Sequence, residues 1–195
     1  MEHSLNKIMI LCMIMLLCPV AGFSQDKEME TRKGCIKATI KAIEMDIENY
    51  GAKLKVAESG GGPQENAAKF KAKIESLKID LEKYRNMNPM DYLLSPSKDE
   101  AGDTDLFDNT VKFGPVQPPE KKRISVLVER KIGEDTILNM EGMSRSGPFY
   151  HVAGIVDDDY SHIRPDTTYE MTIYLVYRRE YFGFIPDYYV YIEKW

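Results

Sequence analysis

Apolar residues recur every three or four positions in two stretches of the first half of the chain. From Ile36 to Leu54, and again from Phe70 to Tyr84, the spacing alternates between four and three residues, which is typical of helices that pair along one face. Between them, residues 59–63 read Ser-Gly-Gly-Gly-Pro and predict a turn. The pattern predicts an antiparallel helical hairpin, a short coiled coil, over residues 25–90. The alternative is that both apolar faces pack on a larger core.

The first predicted helix carries a second apolar face made of small residues. Its members repeat with the same steps and are interrupted at Asn49: Cys35, Ala38, Ala42, Met45, Ala52 and Val56. A water-facing side of a helix is normally polar, so this face predicts that another surface covers it. That surface is the chain's own β domain, a partner, or a second copy in a homo-oligomer formed through helix 1.

The period changes from 3.6 to 2 in the second half of the chain. Ile124, Val126 and Val128 alternate with Ser125 and Glu129 on either side of Leu127. Further candidate strands are Ile137–Met140, Phe149–Val156, Tyr169–Arg178 and Tyr188–Trp195. Short strands between Gly-, Pro- and Asp-containing turns predict an antiparallel β-sandwich over residues 111–195. Residues 91–110 are acidic, contain proline and read as a linker, so the predicted fold class is α+β.

A short motif precedes the strongest predicted strand. Residues Ile163–Tyr169 read Ile-Arg-Pro-Asp-Thr-Thr-Tyr. This resembles the tyrosine corner of fibronectin type III and other immunoglobulin-like β-sandwich domains. The resemblance implies a sandwich in which the phenol of Tyr169 bonds back to nearby backbone. It implies no function.

The first 24 residues have the organisation of a secretory signal peptide. Lys7 precedes an apolar run, Ile8–Cys18, that is shorter than the roughly 20 residues needed to span a bilayer. Gly22 and Ser24 are small residues at the −3 and −1 positions of a cut before Gln25. We therefore expect a secreted or periplasmic protein without a membrane span. The alternatives are an uncleaved anchor and a lipid anchor on Cys18.

The cut leaves Cys35 as the only cysteine of the mature chain, so an internal disulfide is excluded. Cys35 is then either a buried apolar residue or a free thiol able to pair between chains. The formal net charge of −5 argues against nucleic acid as a partner, because nucleic-acid binding needs a basic surface. It also gives no attraction to an anionic membrane.

The densest polar cluster lies just before the tyrosine-corner motif. Asp157, Asp158, Asp159 and His162 could ligate a divalent cation or act as acid and base. Their spacing matches no metal motif, and a solvated turn is the favoured interpretation. The sequence therefore predicts no enzyme, no metal site and no cofactor. A secreted hydrolase is the third-ranked function.

Aromatic residues gather on the last predicted strands. The set proposed for binding is Tyr174, Tyr189, Tyr191 and Trp195. These rings either form an exposed contact face for a protein or glycan, or are covered by the helical hairpin. The leading hypothesis is an exported, non-catalytic envelope or secreted protein that acts through protein–protein contacts. The alternative is a glycan-binding module.

Overall fold

A computed structural model describes residues 2–61, 64–94, 113–132, 137–142, 150–156, 162–179 and 188–194. Helix α1 spans Glu2–Val56 and continues into a π-helical turn, Ala57–Gly61. Gly60 has a φ of 88°, a conformation that favours glycine, so the first helix ends at the predicted turn. Helix α2 spans Gln64–Arg85, and a single 3-10 turn, Pro89–Asp91, follows it.

The two helices contact each other through the predicted apolar faces. The buried members of these faces are Ile36, Ile43, Tyr50, Leu77, Leu81 and Tyr84. The rings of Tyr50 and Phe70 have centroids 6.0 Å apart. Arg85 Nη2 lies 2.9 Å from Glu44 Oε1, and Lys71 Nζ lies 2.8 Å from Glu58 Oε1 near the turn. The helices therefore share one hydrophobic interface with ion pairs at its margins.

Five strands form a closed barrel: β1 (Gly114–Ile132), β2 (Ile137–Gly142), β3 (Tyr150–Ile155), β4 (Thr167–Arg178) and β5 (Tyr188–Lys194). Their order around the barrel is β1-β2-β3-β5-β4, and β4 pairs with β1. The neighbours β4-β1-β2-β3 are antiparallel and make a Greek key, and β5 closes the gap by pairing parallel to β3.

The predicted α+β class is confirmed, whereas the predicted antiparallel β-sandwich is not found. The strands close into a single barrel, and the β3–β5 pair makes the sheet mixed. Closure depends on the length of β1, because its residues Val126–Val128 pair with β2 on one side and with β4 on the other. The alternation of apolar residues shows which face of a strand is buried. It does not show which strand lies beside it.

The barrel interior is filled by one side of the alternating strands. Its buried strand residues are Ile124, Val126, Val128, Met171, Ile173, Leu175, Val190 and Ile192, and Val156 and Ile163 from the adjoining loops pack with them. At the entry to β4, Arg164 N donates to Tyr169 Oη at 3.1 Å. This confirms the backbone hydrogen bond of Tyr169 that the tyrosine-corner resemblance implies. Asp166, in the same corner, has a φ of 56° and donates its N–H to Val128 O at 2.8 Å.

Helix α1 lies between α2 and the outside of the barrel. Cys35, Ala38 and Ala42 are fully buried in one cluster with outward-facing barrel residues that include Val176 and Tyr189. The prediction that another surface covers this second face is confirmed for these three residues, and the surface is the chain's own barrel. A homo-oligomer formed through this part of α1 would require the barrel to detach from the helix.

The far end of the same face is not covered. Ala52 is exposed, and Val56 has 58% of its surface exposed. Residues 2–24 of the predicted signal peptide form the first part of α1. Within the described ranges, no helix combines the length and the apolar character needed to span a membrane.

Candidate functional site at the helix–barrel junction

The structure places the predicted binding tyrosines against α1. Tyr174 is 5% exposed and Tyr189 is fully buried. Tyr191 is half-buried, and its ring lies on Gly34, where a side chain would collide with it. The fourth predicted residue, Trp195, lies outside the described residues.

The burial of these rings bears on the glycan alternative. A sugar stacks on an aromatic ring only where the ring face is open to solvent. Tyr174 and Tyr189 instead belong to the same buried cluster as Cys35 and Ala38 of α1. In this structure they fix the helix to the barrel and offer no open platform.

A buried polar cluster, here called the junction network, joins α1 to the end of β4. Tyr177 Oη donates to Asp46 Oδ2 at 2.7 Å. Arg179 Nε faces Asp46 Oδ1 at 2.7 Å, and both side chains are 4% exposed. The pair is held by charge, because neither atom has a well-aligned hydrogen bond. Arg179 Nη1 also donates to Tyr189 Oη at 3.4 Å.

Asn49 completes the junction network. It lies one turn along α1 from Asp46, at the position that interrupts the second apolar face. With its amide oxygen turned toward the cations, it accepts from Arg179 Nη2 at 2.5 Å and from Lys53 Nζ at 3.3 Å. The guanidinium of Arg179 is therefore surrounded by a carboxylate, an amide oxygen and a phenol.

A β-bulge brings Tyr177 into the junction network. Strict alternation along β4 predicts Tyr177 on the same face as Ile173 and Leu175, inside the barrel. The register between β4 and β5 shifts between Leu175 and Tyr177, however, which turns Tyr177 outward to α1. The bulge thus converts a predicted interior residue into a contact with Asp46.

Burial and charge set the protonation of the junction network. Burial, reinforced by the carboxylate of Asp46, raises the pKa of Tyr177 well above its usual range. Burial raises the pKa of Tyr189 to about 12, although the positive charge of Arg179 opposes the shift. Both phenols therefore stay neutral near pH 7, and Asp46 has one hydrogen bond, from Tyr177, and one ion pair, with Arg179. We interpret the junction network as a fastening of helix to barrel.

A second polar contact joins the start of the predicted mature chain to its last strand. The side chain of Glu193 is 11% exposed and forms an ion pair with Lys121 of β1, with Lys121 Nζ 2.9 Å from Glu193 Oε2. Thr31 Oγ1 of α1 donates to the same carboxylate at 3.4 Å, and Lys27 Nζ lies 3.9 Å from it. Lys121 also lies over the ring of Tyr174, 5.4 Å from its centroid. Three elements, α1, β1 and β5, thus meet at one carboxylate.

Other residues singled out in the sequence have different surroundings. Cys35 is fully buried, and burial raises the pKa of its thiol. The thiol is thus neutral and shielded, which agrees with the buried interpretation of Cys35. His162 is exposed, and Asp157–Asp159 lie outside the described residues. In the part of the chain that the structure describes, no group of three His, Cys, Asp or Glu could hold a metal ion.

Sequence reasoning missed Asp46, Tyr177 and Arg179. One signal was available: Asp46 and Asn49 are polar residues three positions apart on the barrel-facing side of α1. Two polar residues there indicate a polar partner on the opposing surface. Nothing in the sequence identified that partner, because the Tyr177 bulge has no local signature.

Comparison of the chain with protein-family models, with curated proteins and with solved structures gave no match. The function must therefore be inferred from the residues of the chain itself.

Proposed function

We propose that this chain is an exported, non-catalytic protein of the cell envelope or the exterior that acts by contact with another protein. In this proposal residues 1–24 are a signal peptide. The two helices form an antiparallel hairpin that is fastened to the barrel as one body. The contacts between Glu44 and Arg85 and between Glu58 and Lys71 support the antiparallel arrangement, because residue numbers rise along one helix and fall along the other.

One observation carries the proposal: two large apolar side chains are exposed on a firmly held segment after α2. Met90 is 61% exposed and Leu93 is 69% exposed. The segment Met90–Leu93 is here called the apolar step. Large contiguous apolar patches are uncommon on monomeric proteins, and where they occur they often mark a contact site.

The backbone of the apolar step is anchored from both sides. Arg32 Nη1 of α1 donates to Met90 O at 2.8 Å and to Pro89 O at 3.4 Å. Tyr92 is fully buried, and its ring centroid is 6.5 Å from that of Tyr84. Because the backbone is already ordered, binding of a partner to Met90 and Leu93 would cost little backbone conformational entropy. We expect the partner to present an apolar pocket for these two side chains.

Site-specific photo-crosslinking in the producing cells tests the contact. A benzophenone amino acid replaces Leu93 in one variant and Arg123, whose side chain is 74% exposed on the barrel, in a control variant. We expect one discrete adduct with another protein from position 93 and none of that mass from position 123. Adding Met90→Asp should abolish the adduct. No adduct from position 93, or the same adducts from both positions, would contradict the proposal.

Export has a separate measurement. The intact mass of the protein recovered from the medium or the envelope should correspond to a chain that starts at Gln25. A chain that starts at Met1 would contradict cleavage. A lipid-modified chain that starts at Cys18 would support the lipid-anchored alternative instead.

A further inference from the structure

Helix α2 has an exposed apolar face opposite its contact with α1. Ala68, Ala72 and Ile79 are exposed, and Ile79 has 72% of its surface open. At 3.6 residues per turn, these three positions lie within about 40° of one another around the helix axis. Helix α1 separates α2 from the barrel, so this face points away from both.

The two flanks of this face differ in chemistry. Glu75 and Glu82 lie on one side, within roughly 60° of Ile79, and Ser76 and Lys83 lie on the other side within the same angle. All four residues are exposed. Next to the apolar face, one flank is therefore acidic, with Lys71 and Lys78 farther around the helix on the same side. The other flank offers an ammonium and a hydroxyl at nearly the same levels along the helix.

We propose that this face is where a second copy of the chain binds, with the two α2 helices parallel and a two-fold axis running along them. In that arrangement each copy's acidic flank lies beside the other copy's Ser76 and Lys83. Glu82 then faces Lys83, and Glu75 faces Ser76, twice each by symmetry. An antiparallel pair would instead place the acidic flanks of the two copies against each other. Charge complementarity thus favours a second copy of the chain as the binding partner, and a parallel orientation of the two α2 helices.

The sizes of the central residues suit this pairing. Ala68 and Ala72 let the two backbones approach closely, and the two Ile79 side chains meet at the axis. Glu75 and Glu82 already pair with Lys78 at 2.8 Å and Arg85 at 3.1 Å. These exposed pairs within one helix contribute little to stability, and a carboxylate accepts from more than one donor. They do not compete strongly with the contact between copies.

The contact between copies should be weak. A single helix face buries less than the roughly 800 Å² per partner of a standard interface. We therefore expect a concentration-dependent monomer–dimer equilibrium of the full mature chain. This expectation is independent of the apolar step, so either proposal can fail without the other.

Sedimentation equilibrium of the mature chain from roughly 1 μM to 1 mM, a range suited to weak complexes, tests the dimer. Ile79→Asp should leave a monomer at every concentration. Glu82→Lys and Lys83→Glu should each weaken association by roughly tenfold, because two symmetry-related pairs become repulsive. The double variant Glu82→Lys/Lys83→Glu should restore it.

Glu48→Lys provides the control, because it makes the same charge change at an exposed position of α1 and should leave the equilibrium unchanged. Circular dichroism of each variant checks that the helices are retained. A wild-type chain that stays monomeric overturns the proposal. A dimer that is insensitive to Ile79→Asp, or is not restored in the double variant, overturns it too.

Discussion

Asp46 is a buried carboxylate whose charge is matched by residues from the far end of the chain. Arg179 neutralises the charge, and Tyr177 donates a hydrogen bond to it. Removing one partner of a buried pair leaves the other charged and without compensation, which costs more than the pair contributes when it is intact. The junction network should therefore be sensitive to single substitutions.

Replacing Asp46 with alanine should lower the free energy of unfolding by about 3–5 kcal/mol, because it leaves the buried Arg179 guanidinium without its carboxylate. Glu44→Ala is the matched control, since it removes the more exposed ion pair with Arg85 from the same helix. Its loss should be a small fraction of the Asp46→Ala loss. Urea unfolding measures both variants, and equal losses would show that the junction network is not a fastening.

Two glycines of α1 should respond to substitution in opposite directions. Gly34 lies under the Tyr191 ring, and a Cβ there would overlap the ring carbons, so Gly34→Ala should destabilise the protein by roughly 1–3 kcal/mol. Gly51 has nothing within 4 Å of an added Cβ. There the better helix propensity of alanine should stabilise by roughly 0.5–1 kcal/mol. Thermal unfolding of the two variants gives the comparison, and shifts of the same sign would contradict it.

The positions of the helices and strands can be predicted from the sequence more closely than the pairing of the strands can. The four–three spacing located the contact between α1 and α2, and period-two alternation located β4, β5 and the second half of β1. Residues 114–123, the first half of β1, were not among the predicted strands. Neither pattern contains the parallel β3–β5 pair, because pairing partners are set by how the whole sheet closes. The Leu175–Tyr177 register shift has the same origin, since an inserted residue changes which face a side chain takes without changing composition. Of the predicted aromatic face, Tyr174, Tyr189 and Tyr191 lie against α1.

Helix α1 should not be uniformly stable along its length. Its residues 35–47 pack between α2 and the barrel, whereas Ala52, Lys55 and Val56 are exposed near the turn. We expect amide hydrogens of 35–47 to exchange at least about 100-fold more slowly than those of 52–58, because only the former need the helix to leave the barrel. Native-state hydrogen exchange resolves the two regions. Equal protection of the two regions would indicate that the contact with the barrel does not add to the local stability of α1.

The whole molecule has two apolar cores, one inside the barrel and one between α1, α2 and the barrel's outer face. The second core is rich in tyrosine. Burial is the largest cause that raises the pKa of five of these tyrosines: Tyr84, Tyr92, Tyr174, Tyr177 and Tyr189. A neutral phenol is thus favoured in the folded state. The tyrosine-rich core is therefore expected to be sensitive to alkali.

Stability should fall as the pH rises above about 10, the ordinary pKa of tyrosine. Above that pH the unfolded chain loses phenolic protons that the folded chain keeps, so the unfolded state binds fewer protons and the unfolding free energy declines. For Tyr189 the decline should extend to about pH 12. Absorbance of tyrosinate should rise together with loss of the helical circular dichroism signal.

The control is the same titration in urea, where all twelve tyrosines should ionise without a cooperative step. The variant Tyr189→Phe should show a shallower loss of stability above pH 10. If the folded chain ionised all its tyrosines near pH 10 with its helices intact, the tyrosine-rich core would not be closed.

The contact between Thr31 and Glu193 joins residues that are 162 positions apart in the chain. If the chain leaves its producing cell N-terminus first, the first exported helix reaches its destination well before the strand that holds it. Until β5 arrives, the apolar side of α1 has no barrel to cover it, and the junction network lacks Tyr177, Arg179 and Tyr189. On that route, folding can finish only after β5 has emerged. A chain truncated in its last strand would leave α1 uncovered and open to aggregation or proteolysis.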